Sequence, residues 1–575
     1  MHIAPDVFYY YILPTDNVMK KKILMVYPEF PVTYWSMKHS LSFIKKKSSL
    51  IPLGLLTVAA LLPEDYDVTL IDMNVNKLRT KDIEEADMVF ISAMIVQKNS
   101  FDEVVALCNR LNVPVVAGGP YPTSSPEKIS GVDHFVLHEA EITLPPFIRD
   151  YEKGTPKPIY STNEKPDITK TPPPRFDLID FRDYNNIALQ NSRGCPFNCE
   201  FCDIIELFGR VPRFKDVQQF INEIDLVYRH GFRGSLFVVD DNFIGNKKKV
   251  KELLQGIADW QREHNYPFSL FTEASINLAH DDELLQLMVD AGFDMVFVGI
   301  ETPDTIALES CNKNQNLNID LFTCIQKIQE YGIEVTGGFI VGFDDDTEDI
   351  FDRQIDFIQK AGIPMAMVGI LGALPNTQLY RRLQKEGRLK ADSGFSGNNT
   401  HSLEMSFIPV MPEEKIIEGY KKIISELYSP RKYFDRCFTL LSRLPAGVSK
   451  APRKISLIEI RALFLSLLKQ TFSSYSFQYL RFLWKVIIHR PGHFTTAIGH
   501  AIKGYHFFII TDETIKADEL SSQLDDAIQM LKDTLTSLAA VPEARPHDTA
   551  RRIRTLVHYK NILERKYSHA GRDMQ

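Results

Sequence analysis

Three cysteines stand within eight residues: Cys195, Cys199 and Cys202, spaced CxxxCxxC in the stretch RGCPFNCEFC. Three thiolates so close together can converge on one metal centre. A structural zinc site takes four ligands, and no fourth cysteine or nearby histidine completes this set, the next candidate being His230 beyond a predicted helix. Three cysteines suit instead a four-iron, four-sulfur cluster (4Fe-4S) with one iron left open, and an open iron can chelate a substrate or cosubstrate. Further along, acids and small residues recur after short apolar runs: Asp240-Asp241-Asn242, Glu273 with Ser275, Glu301 and Gly342. Upstream, Ser92 and the pair Gly118-Gly119 stand at the same kind of place. Glycines there let a backbone approach a flat or phosphorylated ligand closely, or simply make a tight turn, the commoner role of paired glycines after a strand. No GxGxxG follows the first strand, so a nicotinamide site has no support.

These positions fall at the ends of predicted strands. Short apolar runs read as buried strands at Ile23–Tyr27, Val68–Ile71, Met88–Ser92, Val113–Ala117 and Phe135–Leu137, with helices between, the first opened by Pro52. Strand alternating with helix implies a parallel, doubly wound sheet that binds ligands at its carboxyl edge. A second βα series follows the cysteines: strands at Ser235–Asp240, Phe268–Thr272, Met295–Ile300, Glu334–Val341 and Met365–Leu371, which with the strand leading into Cys195 make six repeats. A partial (β/α)6, TIM-like barrel results, with its chemistry at the strand ends. The expected organisation is an extension at 1–21, a doubly wound, Rossmann-like domain at 22–154, a Pro/Thr-rich extended surface linker at 155–182, the barrel at 183–390 and a mostly helical domain at 391–575. The first eighteen residues, ahead of Met19, read as a mis-assigned start or loose extension, and 391–401 as a polar loop.

The motifs resemble the radical S-adenosylmethionine (SAM) superfamily, and the domain in front looks like a cobalamin-binding domain. RGCPFNCEFCDIIELFGRVPR, VVDDNFIGN, GIETP and LPNTQLYRRL are similar to the branch of the cobalamin-dependent class that contains the hopanoid C-2 methylase. The resemblance implies that Cys195, Cys199 and Cys202 hold the cluster, whose open iron is chelated by SAM. Cleaving SAM yields methionine and a deoxyadenosyl radical that takes hydrogen from an unactivated carbon. It implies that Phe201 packs near the adenine and that Asp240, Asp241 and Asn242 bind the SAM amino group. Glu273, Ser275 and Glu301 become candidates for ribose or substrate contacts, with ordinary strand-end polarity the alternative, and the stretch Gly337–Gly342 permits close approach of the adenine or merely turns the chain. For cobalamin it points to Ser92, Gly118 and Gly119. The histidine signature that would ligate cobalt is absent from the loop after the first strand (PEFPVTYWSMKH), and His39 lies outside that pattern. Glu139 and Glu141 (LHEAE) resemble a Gly-Glu-Gly-Glu stretch with both glycines replaced, by His138 and Ala140.

The function implied is a C-methyltransferase using SAM, cobalamin and the cluster on a hydrophobic, lipid or isoprenoid, substrate. The alternatives are an oxidative cyclase or rearrangement enzyme without methyl transfer, and a non-catalytic iron–sulfur/cobalamin sensor. An electron donor such as a flavodoxin or ferredoxin is expected.

Composition narrows the remaining choices. The 575 residues carry 66 Lys+Arg against 74 Asp+Glu, a net charge of −8, with 44% hydrophobic and 24% charged residues. This excludes a largely disordered or fibrous chain and argues against a general nucleic-acid binder. Seven cysteines in no disulfide pattern fit a reduced cytoplasm. Cys108, Cys324 and Cys437 fall in predicted helices and read as structural; Cys311 can lie near the site or simply be buried. No apolar run is long enough to span a bilayer. In the tail, LFLSLLKQTFSSYSFQYLRFLWKVIIHRPGHFTTAIGHAIKGYHFFII interleaves Lys and Arg with aromatics. It reads as a helical core against the barrel, or as a lid over an apolar substrate or a surface helix making peripheral membrane contact. Its histidines, His489, His493, His500 and His506, are interrupted by Pro491-Gly492 and do not form a helix-face metal site.

Overall fold

A computed structural model describes residues 20–390, 403, 405–446 and 457–539. The expectations for 1–18, for the 391–401 loop and for the chain beyond 539 lie outside the described residues. The first sheet contains β1 (Lys22–Tyr27), β2 (Asp67–Asp72), β3 (Met88–Ser92), β4 (Val115–Gly118), β5 (His134–Val136) and β6 (Ile159–Tyr160). All pair in parallel, in the order β2-β1-β3-β4-β5-β6. Both faces of this sheet are covered. Leu24, Val26, Val89 and Ile91 pack against the helix Lys98–Leu111 on one side, and Ile23, Met25 and Phe90 against helices Leu53–Ala60 and Ala140–Glu152 on the other. Burial on both faces explains why its central strands read as unbroken apolar runs rather than alternating ones. The strand order reverses between β1 and β3, which places the ligand crevice at the carboxyl ends of those strands.

β6 corrects one expectation. The stretch 155–182 is not simply extended surface linker: Ile159 and Tyr160 pair with Phe135 and Val136, and Tyr160, Ile168, Phe176 and Phe181 are buried. Pro52 likewise caps the helix Leu53–Ala60 instead of opening its first turn.

The second sheet comprises β7 (Asn186–Leu189), β10 (Ser235–Val238), β11 (Ser269–Glu273), β12 (Phe293–Glu301), β13 (Glu334–Val341) and β14 (Ala366–Ile370), parallel throughout in sequential order. Between β7 and β10 lies a small antiparallel pair, β8 (Ser192–Arg193) and β9 (Arg213–Phe214). Amphipathic helices wrap the outside; Lys247–Glu263 buries Val250, Leu254 and Ile257 along one stripe. Helices Glu413–Leu427 and Pro430–Arg443 continue the same core, and Leu457–Thr471, Ser476–His489 and Phe494–Ala539 complete the described chain. No helix among the described residues is long and apolar enough to cross a membrane.

Candidate active site at the carboxyl ends of two sheets

The cysteines sit in the loop that β8 and β9 close off at its neck. Ser192 pairs with Phe214 and Arg193 with Arg213, so the excursion from 194 to 212 leaves and returns at one point. Gly194 makes this possible: its φ is +98°, and a Cβ there would meet the carbonyl of Gly209 at 2.9 Å. The Cys195 amide donates to that same carbonyl at 3.2 Å, and the Cys202 amide to the carbonyl of Cys199 at 3.3 Å. Glu200 fixes the far side of the loop. Its amide donates to Cys311, its carbonyl accepts from Leu379, and its carboxylate takes the Arg382 guanidinium at 2.6 Å. Arg382 and Arg388 share Asp344, which extends this clamp into the segment after β13.

All three cysteines are free thiols, with Cys199 buried and the other two half-buried. Burial pushes the Cys195 and Cys202 thiols up. Among the described residues no three His, Cys, Asp or Glu side chains converge as they would on a single metal ion. A cubane cluster is a larger body whose ligands stand wider apart, and the surroundings fit its charge. Lys313 is buried near the thiols, where burial works against its charge and Glu301 at 2.5 Å holds its ammonium charged. Gln315 donates to the Cys199 sulfur at 3.5 Å.

Lys313 and Gln315 escaped the sequence reading. Lys313 follows Cys311 by two residues in a polar loop, where nothing local marks it. Its partner Glu301 did stand out, and the structure shows how the pair is built. Glu301 ends β12 with φ +64°, a left-handed conformation that a non-glycine residue adopts only under constraint, and its Oε1 accepts from Lys313 at 2.5 Å. Gly299 leaves the room: a Cβ there would lie 2.6 Å from Glu301 Oε1 and 2.8 Å from Lys313 Nζ.

The strand-end acids divide by role. Asp240 is wholly occupied, and here the structure departs from the expectation of an amino-group ligand. Its carboxylate accepts from the Asn191 amide and side chain and from the Ser192 amide and hydroxyl, at 2.7–3.1 Å. Asp240 therefore pins the root of the cysteine loop. Asp241 accepts from the Gly194 amide at 2.7 Å, and burial pushes its carboxyl up to about 7. Glu273 is pushed up to about 7 by burial and by the charges of Asp241 and Asp240. Asn242 accepts from the amide and hydroxyl of Ser275, whose hydroxyl also reaches Asn277 at 2.7 Å. Gly342 has φ +97° and donates to Asp346 at 2.7 Å. Phe201 lines a cleft with Cys311, Phe343, Asp344 and Leu371, its ring 6.1 Å from that of Phe343 and 5.8 Å from Lys313 Nζ.

At the carboxyl edge of the first sheet, Ser92 ends β3 and Gly118 ends β4. A Cβ on Gly119, φ +89°, would stand 2.4 Å from Ser92 Oγ, so the two strand ends close to a small, neutral shelf. His39 packs against His506 of the last described helix, their ring centroids 5.4 Å apart and tilted by 37°. His138 takes φ +63° where a glycine was expected from the motif.

The two edges meet at Glu139. Its carboxylate is buried and accepts from Arg193 Nη1 at 2.8 Å and from Arg213 Nη2 at 2.8 Å, with Lys165 at 3.8 Å. Glu141 takes the other side of Arg193 at 2.8 Å, and Arg193 holds its carboxyl below the usual range. Arg193 and Arg213 are register partners at the neck of the cysteine loop, so one acid from the first sheet's edge grips both sides of that neck. Asn376, after β14, adds a bond to the Ser124 carbonyl, after β4.

A doubly wound domain set against a six-stranded parallel half-barrel with a three-cysteine loop at its edge defines a radical SAM enzyme with a cobalamin-type domain. The B12 binding domain family matches residues 43–148, the Radical SAM superfamily 191–358, and a domain of unknown function (DUF4070) 377–519. An uncharacterized methyltransferase of Synechocystis sp. is 40% identical over 91% of this chain and 99% of its own length. The hopanoid C-2 methylase of Rhodopseudomonas palustris is 33% identical over 77% of this chain and 85% of its own. Among solved structures, the fold is shared with the radical SAM methyltransferase TsrM from Kitasatospora setae with tryptophan substrate and a SAM analogue bound (TM-score 0.55, 14% identity, 78% of this chain and 100% of that one). It is shared also with OxsB bound to aqua-cobalamin and SAM (TM-score 0.54, 15% identity, 94% and 84%). The chain belongs to the B12-binding radical SAM methyltransferase family that includes the hopanoid C-2 methylase.

Proposed function

We propose that this chain methylates an unactivated carbon of a hydrophobic substrate of the lipid or isoprenoid class. The observation that carries the reading is the grip of Glu139, at the carboxyl edge of the first sheet, on Arg193 and Arg213 at the neck of the cysteine loop, which ties the two carboxyl edges together. When bound there, the cluster and SAM supply radical chemistry and the cobalamin supplies a methyl carrier. The chain's own part is placement and charge. Cys195, Cys199 and Cys202 hold the cluster. Lys313 offsets the negative charge that three thiolates bring. Asp241 and Glu273, half-buried and with carboxyls pushed up to about 7 by that burial, would accept the SAM ammonium. Asn242, Ser275 and Glu301 line the ribose or substrate side, and Phe201 and Gly342 border the adenine. Ser92, Gly118 and Gly119 would form the shelf that holds a corrin ring. The small residues there permit close approach, and the Phe201–Phe343 cleft helps exclude water. A flavodoxin or ferredoxin is the electron donor, in the cytoplasm.

The test is anaerobic purification and cluster reconstitution with added hydroxocobalamin, followed by incubation of methyl-labelled SAM with a lipid extract. Label in a lipid fraction together with deoxyadenosine supports the reading. Deoxyadenosine without label transfer would favour a cyclase or rearrangement. A reconstituted cluster with no retained cobalt sinks methyl transfer altogether.

A further inference from the structure

The helical hairpin formed by Leu457–Thr471 and Ser476–His489 has two faces. One packs inward through Ala462, Ser466 and Gln470 on the first helix and Tyr479, Phe482 and Val486 on the second. The opposite face is apolar and open. On the first helix Ile460, Phe464 and Leu468 recur at helical spacing; on the second Phe477, Trp484 and Ile488 do the same. The exposure is large: Phe464 is 63% accessible, Phe477 73%, Trp484 66%, and Phe472 at the tip 82%. Exposed apolar side chains contiguous on two adjacent helices mark a surface that something covers.

Charge says what covers it. From Lys450 to His493 the sequence holds one acid, Glu459, while Lys450, Arg453 and Lys454 lead directly into the hairpin. Beside the apolar face lies a shallow cleft lined by Arg431, Arg481 and Lys485, with Gln478 and Asp435 at its side, Asp435 3.9 Å from Lys485. Three cations in a cleft at the border of an aromatic face match a lipid phosphate above an acyl layer. The chain's own end is a poor cover, because Arg551, Arg552 and Arg554 would bring like charge. We infer that this hairpin docks on an anionic bilayer, with Phe472, Phe477 and Trp484 entering the interface and Arg431, Arg481 and Lys485 holding phosphate headgroups. Docking there also orients the site. Arg461 on the first helix donates to the Phe43 carbonyl at 2.6 Å, in the loop that leaves the carboxyl end of β1. The hairpin thus joins the bilayer to the cobalamin edge of the molecule. The inference does not depend on methyl transfer.

The test is flotation of the full chain, purified with its cofactors, on vesicles of phosphatidylcholine alone and of equimolar phosphatidylglycerol and phosphatidylcholine. Binding is expected on the anionic vesicles only, weakened by salt, with a blue shift of tryptophan emission that Trp484→Phe removes. Phe477→Ser with Trp484→Ser should weaken binding at least about tenfold, and Arg431→Glu with Arg481→Glu should abolish the preference for phosphatidylglycerol. These side chains are exposed, so the variants should fold, and circular dichroism checks that they do. No flotation, or flotation indifferent to lipid charge and to both pairs of substitutions, overturns the inference. So does a stable dimer in light scattering that Trp484→Ser dissociates, since a second copy would then be the cover.

Discussion

The two parallel sheets solve one problem with opposite materials. Both present ligand sites at their carboxyl edges, as open parallel sheets do. The first ends in Ser92, Gly118 and Gly119, small and uncharged. The second ends in Asp240, Asp241, Glu273 and Glu301, with Lys313 among them. A neutral shelf suits a large flat ligand that needs backbone-close contact. Half-buried acids such as Asp241 and Glu273 suit a ligand that brings a cation, because an incoming positive charge offsets the cost of their desolvation, whereas Asp240 and Glu301 are already held by their hydrogen bonds and by Lys313. The difference teaches that the topology sets where ligands go, and the side chains at a few strand ends set which ligand each edge accepts.

If the edges are chemically separate, they should be separable by mutation. The largest effect is expected from Cys202→Ala: loss of the cluster, read as iron and sulfide content, and of SAM cleavage, with retained cobalt unchanged. A fall in cobalt as well would break the comparison. Glu139→Gln attacks the joint itself. It leaves Arg193 and Arg213 without their common buried partner and should cost about 3–5 kcal/mol in denaturant unfolding, with both cofactor sites loosened together. Gly119→Ala is the converse of the cysteine change. Its Cβ would fall 2.4 Å from Ser92 Oγ at a φ of +89°, so a cost of about 1–3 kcal/mol and weaker cobalamin retention are expected, with iron content unaffected.

The smallest effect concerns protons on the acidic edge. Glu273 is raised from 4.5 to about 7, and Asp241 and Asp346 are raised to about 7 as well. Between the unfolded and folded values the folded chain holds protons that the unfolded chain has lost, so stability falls as pH rises through that window and levels off above it. Thermal melts of the cofactor-free chain should show this decline between about pH 4.5 and 7, and Glu273→Gln should flatten part of it. A melting temperature that rises with pH over the window would place the acids in a different environment.

Much of this was legible beforehand, for physical reasons that particular elements show. β3, β13 and the helix Lys247–Glu263 have the bounds expected of them, since a doubly buried strand and a one-sided helix each write their period into the chain. β6, β8 and β9 were not legible: two-residue strands carry no period and exist only because a partner is present. Asp240 looked like a ligand by position, but its four bonds to Asn191 and Ser192 are made to a segment 48 and 49 residues away. The tail read as a packed core or a surface helix. The hairpin is both, one face buried and one open, because its helices carry apolar residues on the open face while Ala462, Ser466, Gln470, Tyr479, Phe482 and Val486 pack inward.

The sequence by itself determined the kinds of elements, their order and the three-thiol loop, because hydrophobic period, glycine placement and cysteine spacing act over a few residues. Only the tertiary structure decided that Glu139 holds the neck of that loop, that Lys313 lies beside the thiols and that the hairpin keeps an aromatic face open. Each of these is a pairing, or the lack of one, between residues far apart in the chain, and burial and Coulomb energy depend on distance in space rather than in sequence.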